Sequence, residues 1–142
     1  MDKFIIDKIW ADGYERIALI RLLDDDKKCI VHFIEYDEYV DSDGIIKKRE
    51  KGDLLEGELS INLISVDKTV NEGLYHRQPI SQSPHIEAVV QIKQIINEYT
   101  ALVDSSIHTK MLVEFEHIIS YNEGDFVYIE GELEMIEFDE LV

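Results

Sequence analysis

Positive charge is what this sequence has least of. Its 142 residues carry 14 Lys and Arg against 31 Asp and Glu, a formal net charge of -17. That is well beyond the roughly 2–8 units usual for a small domain. Cysteine is nearly absent: Cys29 stands alone, which excludes an internal disulfide and points to a reducing compartment. Cys29 lies in an apolar stretch and reads as a small core residue. Proline occurs twice and glycine seven times, too few for a low-complexity chain. No apolar run approaches the roughly 18–20 residues of a membrane helix. The opening segment, MDKFIIDKIWADG, has too short an apolar run and too many charges for a secretory signal. The expectation is therefore a cytoplasmic protein without a membrane partner.

What is present is a core's worth of apolar residues, 45% of the chain. This excludes a disordered acidic tail and suits a single domain over 1–142. The acidity is uneven. Residues 1–71 hold 17 acidic and 11 basic side chains, and residues 72–142 hold 14 and 3. From Met111 onward there is no Lys or Arg. Solubility alone does not require such a gap, because an intermixed surface solubilises as well and repels itself less.

Most of the chain alternates apolar and polar residues with period two, in KFIIDKIW, YERIALIRLL, KKCIVHFIEY, LLEGELSINLIS, KMLVEFEHII and DFVYIEGELEMIEF. These segments are rich in Ile, Val, Leu, Phe and Tyr and read as strands. Turn chemistry separates them at Asp12-Gly13, Asp24-Asp25-Asp26, Asp43-Gly44, Gly52-Asp53 and Gly124-Asp125. Residues 83–103 break the pattern. Ile86, Val89, Val90, Ile96, Tyr99 and Val103 fall broadly on one side of a helix, with Ser83 as cap, Pro84 in the first turn and Glu87 at the positive end of the dipole. The expected fold is mainly β with one amphipathic α-helix at about 83–103. The sheet is expected to be curved and antiparallel, a small barrel or a sandwich.

Two stretches share a phrase. Gly52-Asp53 precedes LLEGEL and Gly124-Asp125 precedes FVYIEGEL. The match points to two related β-units flanking the helix, with chance or convergent strand chemistry as the alternative. Gly57 and Gly131 inside strands mark bulges or sharp coiling. The Gly-Asp, strand, Gly arrangement resembles the middle strands of OB-like barrels. OB-type nucleic-acid binders need a basic groove with aromatics. Here the matching strands bear glutamates, so no nucleic-acid partner is expected.

A candidate face follows from alternation over the last two strands. If their apolar faces point the same way across a hairpin, paired residue numbers sum to about 244. Glu114 then lies opposite Glu130, and Glu116 opposite Tyr128. Glu132 and Glu134 extend the row, and Phe126 and Tyr128 share it, with Ile136 and Phe138 beyond. Like charges directly across a pair repel, and a cationic partner would relieve that repulsion. The site expected from sequence is thus Glu114, Glu116, Phe126, Tyr128, Glu130, Glu132 and Glu134, a partner-binding face. The alternative is a solvated strand face with incidental aromatics.

No catalytic residue, metal or cofactor is expected. Asp41-Ser42-Asp43-Gly44 with Glu50 echoes a calcium loop, but the first ligand position falls on Tyr39 and a strand follows. None of His32, His76, His85, His108 and His117 is spaced as a zinc pair on one element. No nucleophile elbow, phosphate-binding loop or CxxC occurs. Tyr75-His76-Arg77-Gln78-Pro79 lies in the longest irregular stretch and reads as a solvated connector or a recognition loop. In size, acidity and single-domain character the chain resembles bacterial toxin-immunity proteins, including those of contact-dependent growth inhibition. That resemblance implies an inhibitor that covers a basic nuclease domain. The alternatives are an OB-like or sandwich adaptor for a peptide or small ligand, and a carboxylate-based metal-dependent hydrolase.

Overall fold

The computed structural model describes residues 2–35 and 49–140, with the side chains of 137–140 left out. The calcium-like Asp41–Gly44 loop and the Phe138 side chain therefore lie outside the described residues. Among the described residues nine strands follow in chain order: β1 (Asp2–Asp12), β2 (Glu15–Leu22), β3 (Lys28–Ile34), β4 (Leu54–Thr69), β5 (Tyr75–Arg77), β6 (His85–Ile95), β7 (Thr100–Asp104), β8 (Met111–Glu114) and β9 (Phe126–Glu140). The period-two pattern is what makes them strands. In β2, for example, Arg16, Ala18, Ile20 and Leu22 are buried while the residues between them are not. A two-residue loop, Gly13-Tyr14, joins β1 to β2, with Gly13 at φ 62 where a side chain would be strained.

The strands form one sheet in the order β1-β2-β3-β9-β4-β8-β7-β6-β5. It is a continuous nine-stranded sheet rather than a small barrel. It curves because β1 also pairs with β4, and β6 also pairs with β9. The centre is the antiparallel pair of β4 and β9, running from Leu55↔Glu140 to Thr69↔Val127. Most pairings are antiparallel; β3 with β9 and β4 with β8 are parallel.

The chain meets the central pair in the same way twice. Ile6 N–H donates to Asp53 O and Ile6 O accepts from Gly52 N–H, at 3.0 and 2.7 Å. Ile92 does the same with Asp125 and Gly124, at 2.9 and 2.7 Å. Asp53 Oδ2 accepts from Glu50 N–H and Asp125 Oδ2 from Asn122 N–H, both at 2.9 Å. Gly52 and Gly124 both sit at φ 93. A register shift follows Ile6 in β1 and Ile92 in β6.

The helix expected at 83–103 is not there, and no helix occurs among the described residues. The segment is β6, a turn, and β7. Ile86, Ala88, Val90 and Ile92 alternate inward, and its many β-branched residues suit a pleated surface better than a helix. Asn97 Oδ1 accepts from Tyr99 N–H and Thr100 N–H, both at 2.9 Å, and reverses the chain. Ser83 Oγ accepts from His85 N–H at 3.1 Å, closing a local turn instead of capping a helix. Among the described residues no helix is long and apolar enough to cross a membrane.

The core is one cluster inside the curve, with Phe4, Ile20, Leu55, Ile61, Ile86, Ile92, Met111, Ile129 and Leu133 fully buried. Cys29 belongs to it as a free thiol. Burial, with Asp25 nearby, pushes that thiol up to about 12, so it stays protonated and unreactive.

Candidate functional site

Strand β9 carries the site. Val127, Ile129, Leu133 and Met135 point into the core, and Phe126, Tyr128, Glu130, Glu132, Glu134 and Ile136 alternate with them on the outer face. Five of the seven residues expected from sequence are thus together on one strand. Glu114 and Glu116 are not. No hairpin joins β8 to β9: β8 pairs with β7, placing Glu114 opposite Thr100, and lies parallel to β4. The edges of β9 are already occupied by β4 on one side and by β6 and β3 on the other. The connector is also no tight turn. Phe115 N–H donates to Tyr99 O and Ile119 N–H to Glu98 O, at 2.7 and 2.8 Å, which holds it on the β6–β7 turn. Glu114 and Glu116 are exposed, away from the glutamate row.

The true neighbours of the row are two histidines and another glutamate. Glu87 and His85 of β6 lie opposite Glu130 and Glu132, and His32 of β3 lies opposite Glu134. His32 Nδ1 and Glu134 Oε2 are 2.7 Å apart, and His32 Nε2 stands 3.5 Å from Glu15 Oε1. Burial raises the Glu134 carboxyl, the bond to His32 pulls it down, and Glu132 and Glu15 push it up again. Along the row, burial first and the neighbouring Glu130 second hold the Tyr128 phenol up at about 12. Lys68 lies 5.6 Å from the Tyr128 ring centroid, a cation–π contact. Arg77 Nε donates to Glu87 Oε1 at 2.5 Å.

Sequence reasoning missed His32, His85, Glu87, Glu15 and Arg77. The signal for His85 and Glu87 was their i, i+2 spacing, which counts only once the segment is a strand. His85 Nε2 stands 3.8 Å from both Glu87 Oε2 and Glu130 Oε1. These three ligand atoms all lie within 4.8 Å of one another, so the set can hold a metal ion.

The stretch Tyr75–Pro79 is tied down: Tyr75–Arg77 form β5 against β6. The Gln78 carboxamide accepts from Ile30 N–H at 2.7 Å and donates to Ile30 O at 2.6 Å, stapling the loop to β3. Asp24–Asp26 is a solvated turn in which Asp25 pairs with Lys27 and Asp26 with Arg21. Elsewhere, an open groove of about 480 Å³ is lined by Asp2, Glu58, Leu102, His108, Lys110 and Leu112 among others. His108 Nε2 and Asp2 Oδ2 meet there at 3.0 Å.

Fold and face together define the class: a strongly acidic β protein whose central strand presents glutamates flanked by histidines. No family model, curated protein or solved structure matches the chain.

Proposed function

We propose that this chain is a cytoplasmic acidic binding protein that neutralises a basic protein partner, as the bacterial immunity protein of a nuclease-type toxin. The observation that carries the reading is the row of Glu130, Glu132 and Glu134 on the outer face of the central strand, joined by Glu87 and Glu15 from neighbouring strands. A nuclease needs a cationic surface to hold nucleic acid phosphates. A compact anionic face can occupy such a surface, with charge steering the encounter. Phe126 and Tyr128, at one end of the row, supply apolar contact beside the carboxylates.

The test is to produce the chain with the protein encoded beside its gene. A one-to-one complex with a basic nuclease domain is expected, with nuclease activity lost in the complex. The triple variant E130Q/E132Q/E134Q should associate about tenfold more slowly at low salt and show a shallower salt dependence. Lack of a cationic partner, or association untouched by the triple variant, would overturn the reading.

A second reading, an adaptor for a peptide or small ligand, is favoured by the groove between Asp2, Glu58 and His108. Loss of partner binding on filling it, by Leu102→Trp, would favour that reading over the first.

A further inference from the structure

The β6–β9 ladder places two carboxylates and an imidazole where a single ion can join them. His85 and Glu87 are two residues apart on one strand and share its outer face. Glu87 and Glu130 are direct cross-strand partners. Two like charges in that relation repel, and a divalent cation between them converts repulsion into attraction. We propose that His85, Glu87 and Glu130 form a binding site for a divalent transition-metal ion, zinc or one of its neighbours.

Geometry supports the assignment. Nitrogen and oxygen ligands bind zinc at about 2.0–2.2 Å, which sets ligand–ligand separations of about 3.0–3.6 Å. The two separations at His85 Nε2 are 3.8 Å, so side-chain rotation alone closes the set. One ligand is also oriented by a group outside the set. Arg77 holds Glu87 Oε1, which leaves Oε2 turned toward His85. Such supporting bonds commonly fix the ligands of metal sites.

The donors choose the ion. An imidazole with two carboxylates suits zinc, manganese, iron or nickel, whereas calcium requires six or more oxygens. The three side chains are 16–28% exposed, so an ion can enter. Three protein ligands leave a fourth position for water or for a donor from a bound molecule. Glu132, opposite His85, adds a further negative charge on the same face.

This inference does not rest on the proposed function, because it is tested on the isolated chain. Chelator-treated full-length protein is titrated with zinc chloride in a calorimeter, in about 0.15 M salt with excess magnesium to screen general acidity. Saturable one-to-one binding is expected. His85→Gln and Glu130→Gln should each weaken it at least tenfold, and His108→Gln and His117→Gln should leave it unchanged. Histidine-resolved NMR of the wild-type chain gives a readout that needs no variant: zinc should shift the His85 ring resonances ahead of those of the other histidines. Absence of saturable binding, first shifts at another histidine, or affinity retained in the His85→Gln/Glu130→Gln double variant would overturn the site.

Discussion

His117 shows what a single acid–base contact does here. Its Nε2 lies 2.8 Å from Asp67 Oδ2 and its Nδ1 3.1 Å from Ile118 O. Tyr121 also donates to Asp67. The Ile118 carbonyl first, and Asp67 second, favour the imidazolium and raise His117 above the ordinary 6.5. A histidine whose folded value is raised adds stability that is fully present below the unfolded value and lost as pH rises through the folded one. An NMR titration should place its midpoint above 6.5, and Asp67→Asn should lower it part of the way. A wild-type midpoint at or below 6.5 would refute the assignment. The same scale shows why part of the face was illegible in sequence. On a helix, His85 and Glu87 would point about 200° apart; on a strand they point the same way. One mistaken period hid both ligands.

At the level of elements, the legible strands were those with clean alternation: β1 to β4 and β9, with their Gly-Asp and Asp-Gly turns. β6 was misread because Val89 and Val90 are both buried. Two adjacent apolar residues within an apolar run imitate helical spacing. The β8–β9 hairpin failed for another reason. Proximity in sequence suggested pairing, but β9 was already saturated by strands distant in the chain, which alternation cannot reveal. The two strand glycines were read correctly as irregularities. Register shifts in the β4–β9 ladder fall at Gly57 and across from Gly131. A Cβ at Gly131 would stand 2.7 Å from the Asn62 carbonyl oxygen and 2.8 Å from Ile64 Cδ1. The first obstacle is backbone and cannot swing away. Gly131→Ala is therefore expected to destabilise by about 1–3 kcal/mol, the usual effect of overpacking, read as a lower urea midpoint with an unchanged slope. A midpoint within error of wild type would show that β4 yields at this crossing.

Over the whole molecule, a net charge of -17 means that most long-range electrostatics is repulsive. Screening should then stabilise the fold. The melting temperature is expected to rise by roughly 2–6 °C between about 10 mM and about 0.5 M sodium chloride, the shift that about 1 kcal/mol produces in a domain of this size. A fall with salt would mean that ion pairs such as Lys93–Asp104 outweigh the repulsion.

The central position of β9 also sets a timetable for the nascent chain. Strands β3, β4 and β6 all require it as a neighbour, yet it follows them in sequence and is made after them. As the ribosome delivers the polypeptide, those earlier strands emerge with edges that nothing yet seals. The sheet can close only once residues 126–140 have cleared the exit tunnel, so folding is deferred until then, and in the interval the chain's negative charge helps to keep the unsealed edges apart.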